Sequence, residues 1–456
     1  MRKLIAFLVV ASTGNLCADS PSKLAEQVDS LVQPYLDAEI VNAISIGVVQ
    51  RDKQWTRHYG QLSKGQPQQP DDATIYELGS ISKVFTGILL ADAVVDGRMK
   101  LNQPLGELVP ELETNKQVGE AIQLWHLSTH VSGLPRMPIN MRPADIHNPY
   151  ADYDRSLMLA FLSIVKPIRK PEVKAEYSNL AVGLLGQILA IEAEQSYEEL
   201  LQQNLTGPLG MTQTSITLST AQQRRLAPPH NSDRESAKNW DLNSFVGAGG
   251  IRSSTADMLT FIRANLNPSD DRTGQALNLA WKQHLPANGD AFAMGLGWHL
   301  ARDGEARWHN GQTGGYHTMM LVDRRINSGV ILLCNTATGA VDALADSIIR
   351  LVAGMKVEPR TFPKQVQVDA KVVSRLVGEY QIFPQFALTI RAEGDKLFAE
   401  ATGQPEIRIY PDSNTKWRYR VVDAELTFEL PETGPATAVT LHQNGRDMRG
   451  PRVEQK

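Results

Sequence analysis

The chain has 456 residues and a formal net charge of −4. That length exceeds one average domain and suggests two or three, and the composition carries no signature of disorder. So small a net charge argues against a sequence-blind grip on nucleic acid or anionic lipid, and no nucleic-acid partner is expected.

Residues 1–18 read as a secretory signal: Arg2 and Lys3 form a charged start and "LIAFLVVA" a short apolar core. Cleavage after Ala18 would start the mature chain near Asp19. No later segment has the roughly 20 apolar residues of a membrane span, so no stable span is expected once the signal is removed. Cleavage would also remove Cys17 and leave Cys334 alone, which excludes an internal disulfide. Cys334 sits in "GVILLCN", a β-like apolar run, and reads as a buried inert thiol.

"PSKLAEQVDSLVQPYL" has helical apolar spacing. "AISIGVVQRDKQWTRHYG" alternates like a strand pair. "ISKVFTGILLADAVVDG" places Ile81, Val84, Phe85, Ile88 and Leu89 on one helical face, with Gly97 as a stop. From about 100 to 245 the pattern is mostly helical with Pro-rich loops. "GIRSSTADMLTFIRANL" is a capped helix, with Ser254 or Thr255 as cap and Asp257 in its first turn. Strand-like runs return at "AMGLGWHLA", "RWHNG", "YHTMMLVDRR" and "SGVILLCN", and "AVDALADSIIRLVAGM" is a helix. Strands early and late with helices between imply one α/β sheet built from both ends of residues 19–355, with a helical insertion. Residues 356–370 are a polar, Pro-containing linker. From 371 to 456 short strands and turn residues alternate, as in a small all-β domain.

Three motifs carry chemistry. In "ELGSISKVFTG", Ser80 and Lys83 lie almost one helical turn apart, so amine and hydroxyl share a face. A desolvated lysine there could take the serine proton. Alone, the pair reads better as a helix cap and a solvated charge; the same spacing at Ser20 and Lys23 means nothing. "EYSNL" holds Tyr177 and Asn179, a phenol and an amide on one loop, or equally a core aromatic and a cap. "WHNGQTGGYH" puts His309, Asn310 and Gly311 at the end of a strand where glycine lets a substrate approach. A histidine there can offer charge or a hydrogen bond, or simply pack.

The three in this order resemble the serine β-lactamase and penicillin-binding protein superfamily, with its S-x-x-K, Y-x-N and K-T-G or H-x-G motifs. Residues 22–353 are most similar to class C β-lactamases and the DD-peptidases and esterases related to them. "HLSTHVSGLP" and "PLGMTQT" resemble blocks of the wider family. The tail, with "LVGEY" and "LHQNGR", resembles a lipocalin-like β-module.

The resemblance implies an antiparallel sheet flanked by helices, followed by a barrel-like domain. It also implies a periplasmic hydrolase of class C β-lactamase type, a source of antibiotic resistance that acts through an acyl-enzyme. The alternatives are a DD-carboxypeptidase or endopeptidase on peptidoglycan stems, an esterase, or a penicillin-binding sensor that does not turn over. By the resemblance, Ser80 is the nucleophile and Lys83 and Tyr177 share the proton work. Asn179 orders the site and holds the substrate amide, His309 and neighbouring donors at Gly311 hold the substrate carboxylate, and the N–H groups of Ser80 and Gln312 form the oxyanion hole. No metal or cofactor is expected; the partner is a small β-lactam or peptidoglycan-derived peptide. Class C enzymes carry lysine where this chain has His309, and histidine there is more typical of the peptidase and esterase relatives.

Two other patterns lead elsewhere. "HLSTH" spaces His126 and His130 like a zinc-binding helix, but Leu127 stands where a catalytic glutamate is required, so packing is expected. The absence of G-x-S-x-G removes the usual α/β-hydrolase reading.

Overall fold

The computed structural model describes residues 21–288, 292–301, 304–362, 366–404, 406–420, 422, 424–443 and 445–453. The expected signal, residues 1–18, lies outside them.

The chain opens with the helix Pro21–Asp37, then the hairpin β1 (Ala43–Gln50) and β2 (Lys53–Gly60). Two short strands, β3 (Ile75–Glu77) and β4 (Arg252–Ser254), pair with each other across the helical insertion. The late strands are β5 (His299–Leu300), β6 (Ala306–Gln312), β7 (His317–Asp323) and β8 (Ser328–Cys334). They join the first hairpin in one antiparallel sheet of order β2-β1-β8-β7-β6-β5. Both ends of the domain thus build one sheet.

That sheet is buried on both faces, which explains why β7 and β8 read as continuous apolar runs. On one face Ile44, Ile46, Leu321 and Leu332 pack with Leu24, Val28, Leu344 and Ile348 from the first helix and the helix Asp342–Val352. Cys334 is buried there, and burial pushes its thiol up to about 12. On the other face Met320, Ile331 and Leu333 meet the helices Ser82–Val95 and Thr255–Leu266.

The helix Ser82–Val95 is apolar nearly all round and buried from Ser82 to Ala93, as its central position requires. Phe85 stacks on Phe261 at 4.3 Å between ring centres. The chain leaves this helix through Gly97 at φ +75°, a left-handed residue at the stop. Ser254 caps the helix Thr255–Leu266, its hydroxyl accepting the Asp257 N–H at 3.3 Å.

Eight antiparallel strands from Gly378–Phe383 to Arg446–Pro451 follow in simple up-and-down order. A bridge between Tyr380 and Arg452 brings the first strand back to the last, so the barrel is nearly closed. Closure leaves little free edge to aggregate. Trp417, Tyr380, Leu397, Leu426 and Phe428 fill its core. The all-β reading of this segment misses one element: the helix Ala370–Leu376, capped by Asp369, plugs the barrel with Val373 and Leu376. Val368, inside the expected linker, already packs in that core. Against the larger domain, Arg408 pairs with Asp233 at 3.5 Å, Lys396 with Glu235 at 3.4 Å, and Thr338 Oγ1 donates to the Arg420 carbonyl at 3.2 Å.

Candidate active site

Ser80 occupies the turn Gly79–Ile81 at the mouth of the helix Ser82–Val95. The turn is tight because Gly79 has φ +54°, and a Cβ there would lie 2.7 Å from Gln312 N. Gly311 makes the reciprocal approach from β6: a Cβ on it would meet Leu78 O at 1.9 Å and Ser80 N at 2.9 Å. Any side chain at either glycine would push the strand off the serine. These two contacts bring the Ser80 and Gln312 amides to one spot, the arrangement an oxyanion hole needs.

Lys83 Nζ lies 2.9 Å from Ser80 Oγ and donates to the Ala248 carbonyl at 2.6 Å. The side chain is completely buried. Burial, with a smaller push from the nearby Arg136 cation, drives its pKa well below the usual lysine value. An amine held this way favours its neutral form, which can accept the serine proton.

Tyr177 enters from the loop before the helix Asn179–Glu192. Ser178, not Asn179, caps that helix, accepting the Ala181 N–H at 3.0 Å, which frees the Asn179 side chain to line the cleft. The Tyr177 ring is 4.5 Å from that of His130, with the Lys83 amine 4.9 Å and the Arg136 guanidinium 5.0 Å from its centre. Burial pushes the phenol up to about 12, against opposing pulls from Ser80 and Arg136. At neutral pH it is therefore a phenol, with no standing phenolate.

His309 is buried on β6, 1% exposed. Burial first, then its neighbours His299 and Lys83, hold its pKa well below 6.5. Its Nδ1 is 2.6 Å from the Asn310 carbonyl, so Nδ1 carries the proton and Nε2 presents a lone pair, with no protein partner among the described residues. A neutral ring offering a lone pair repels a carboxylate. At the strand position where the resemblance places a lysine in class C enzymes, this chain therefore presents a neutral ring. Asp342 braces β6 from behind, accepting from Asn310 Nδ2 at 2.8 Å and bonding His317 Nε2 at 2.7 Å, while His317 Nδ1 is 3.0 Å from Gln312 Oε1.

Ser80, Asn179, Gln312, Thr313, Tyr150 and Trp240 are among the residues lining the cleft. Sequence reasoning missed Tyr150 and Trp240, and also the device that places Trp240. The buried Glu77 carboxylate accepts from Asn239 Nδ2 at 3.0 Å, from Trp240 N at 3.1 Å and from Arg252 at 3.1 Å. Glu77 stands three residues before Ser80, so the pair ties the cleft's far loop to the Ser80 turn. No local signal announces it, because the partners are 175 residues apart.

The zinc-helix pattern does not survive folding: the helix Leu124–Ser128 ends before His130, whose φ is +61°. His126 closes its own capping box and bonds Glu172 at 3.0 Å, the expected structural role. His130 departs from it, sitting beside Tyr177 and accepting the Ser178 N–H at 3.2 Å.

Comparison with known proteins places these features. A Beta-lactamase family model matches residues 28–354, and a model described as a domain of unknown function matches residues 363–452. The chain is 28% identical over 350 residues to the D-alanyl-D-alanine-carboxypeptidase/endopeptidase AmpH of Escherichia coli K12, covering 72% of this chain and 89% of that protein. It is 26% identical over 279 residues to a Beta-lactamase of Pseudomonas fluorescens, covering 61% and 74%. A class C beta-lactamase structure superposes with a TM-score of 0.65 at 22% identity, over 74% of this chain and 98% of that one. A Beta-Lactamase/D-Alanine Carboxypeptidase from Pseudomonas syringae gives the same score at 21% identity, over 74% and 100%. Family match and shared fold agree with the motifs: the chain is a serine hydrolase and belongs to the Beta-lactamase family.

Proposed function

We propose that this protein is an exported hydrolase that opens β-lactam rings through an acyl-enzyme on Ser80. The observation that carries the reading is the buried Lys83 amine at 2.9 Å from Ser80 Oγ. In the proposed sequence, Lys83 takes the hydroxyl proton as Ser80 Oγ bonds to the lactam carbonyl carbon. The Ser80 and Gln312 amides stabilise the oxyanion, and Asn179 holds the substrate amide. The C–N bond then breaks, with the proton passing from Lys83 through the Tyr177 phenol to the leaving nitrogen. Water, deprotonated through the same pair, releases the acid and restores Ser80. Export to the periplasm rests on the charged start and apolar core of residues 1–18, and a role in resistance would follow from the two together.

A D-alanyl-D-alanine peptidase is the second reading, and two observations favour it. His309 is neutral where class C enzymes have lysine, and a phenol raised to about 12 is a poor standing base for the deacylating water. Both readings share acylation and part at release. Intact-mass spectrometry after mixing with a penicillin tests both. The wild type should gain one penicillin mass and Ser80→Ala none; an adduct on Ser80→Ala would remove Ser80 as nucleophile. Loss of the wild-type adduct within seconds supports the β-lactamase, whereas persistence beside turnover of a D-Ala-D-Ala peptide supports the peptidase.

A further inference from the structure

With His309 neutral, Arg136 is, among the described residues, a cation near the reacting atoms that is free to meet substrate. Its guanidinium lies 5.0 Å from the centre of the Tyr177 ring, and the residue is exposed. Among the described residues that guanidinium makes no hydrogen bond or ion pair. The acid closest to it along the Tyr177 loop, Glu176, is occupied by Arg169 through bonds of 3.0 and 2.8 Å. Lys83 is committed to Ser80 and Ala248. The three imidazoles nearby, His130, His299 and His309, are all held below their ordinary pKa, chiefly by burial.

The position of Arg136 is fixed. Its backbone carbonyl accepts the N–H groups of Asn179 at 3.1 Å and Leu180 at 3.3 Å, and Pro135 and Pro138 stiffen the chain on either side. The Arg136 backbone is therefore tied to that of Asn179, whose side chain lines the cleft, whereas Gln312 and Thr313 line it from the β6 end. Attraction to the Tyr177 ring occupies none of the guanidinium's five N–H donors with a hydrogen bond. Such a fork matches a carboxylate in two parallel bonds.

We propose that Arg136 selects acyl donors that carry a free carboxylate on the acyl side of the scissile bond, next to the amide held by Asn179. This rests on the acyl-enzyme reading above. Two kinds of donor share that chemistry: a peptide whose acyl-side residue has a second carboxylate, and a β-lactam with a carboxylated acyl side chain. The selection differs from the one expected of His309, which concerned the carboxylate retained near β6.

The test uses the full chain and two matched pairs of donors, a peptide and a β-lactam, each with the acyl-side carboxylate free or converted to carboxamide. In the wild type kcat/KM should favour the free acid by tenfold to a hundredfold in at least one pair, mostly through KM, with an advantage that shrinks as salt rises. Arg136→Ala should bring that ratio near one, and Arg136→Lys, which keeps charge without the fork, should fall between. The pair that shows the preference identifies the donor class. Equal losses on acid and carboxamide would overturn the proposal, since Arg136 would then act through Tyr177, and so would a wild type without preference in either pair. Ser80→Ala is assayed alongside: residual turnover there would refute the acyl-enzyme reading itself, whatever Arg136 does.

Discussion

The cleft and the barrel treat charge in opposite ways. On the barrel's outer face arginines meet acids in the open: Arg391 forks onto Glu406 at 2.7 and 2.6 Å, and Arg449 onto Glu429 at 2.6 and 2.8 Å. Around Ser80, among the described residues, a lysine and several imidazoles are held without an ion pair to an acid, and His130 Nε2, His299 Nδ1 and His309 Nε2 have no protein partner. Outer-face pairs cost little and contribute little. Buried groups held away from their ordinary pKa are costly, and folds retain them where they do chemistry. Arg420, buried in the barrel, instead faces the larger domain, its guanidinium donating to the Glu39 carbonyl at 3.5 Å.

The largest effect that would break this contrast is kinetic. Tyr177→Phe keeps the ring against His130 and removes the hydroxyl, so kcat should fall by about 10²–10⁴-fold with the fold intact. An unchanged kcat in steady-state assay would mean the proton moves by another route.

Next comes stability. Removing Arg252 strands the Glu77 carboxylate, 3% exposed, in the protein interior. Arg252→Met should cost roughly 3–5 kcal/mol in denaturant unfolding, whereas Arg449→Met on the barrel should cost about 0–1 kcal/mol. Similar costs for the two would erase the distinction between the regions.

The smallest effect is in the pH profile. Burial holds the folded pKa of His299 at about 4 and those of His130 and His309 well below 6.5. Below about 6.5 the unfolded chain takes up protons that the folded chain refuses, so stability is complete above that pH and falls on acidification towards 4. Each unit of separation is worth about 1.4 kcal/mol. Melting temperature should therefore drop between pH 6.5 and 5, and His299→Gln should flatten the decline. A profile as flat in the parent as in the variant would show that these rings titrate normally.

Much of the fold was legible because it is written in local period: the first helix, the β1–β2 hairpin, and the apolar runs that became β7 and β8. The Ser80–Lys83 and Tyr177–Asn179 spacings were legible for the same reason. What escaped depends on distance in sequence. Glu77 and Arg252 look like ordinary surface charges until the insertion folds back. Arg136 lay unremarked just after the "HLSTHVSGLP" block, and the motif left open whether His309 offers charge, a hydrogen bond or packing, because burial, which favours its neutral form, is not a property of its neighbours in the chain. The helix Ala370–Leu376 was hidden by the β texture that follows it.

Cys334 has a practical consequence. Sealed between sheet and helices with its thiol raised to about 12, it offers almost no thiolate to alkylating reagents. A cysteine introduced at the exposed Val422 on the barrel could then be labelled selectively in a preparation lacking residues 1–18, with Cys334 left in place. A dye there, paired with a fluorescent penicillin on Ser80, would give a spectroscopic ruler between the two domains in the otherwise native molecule.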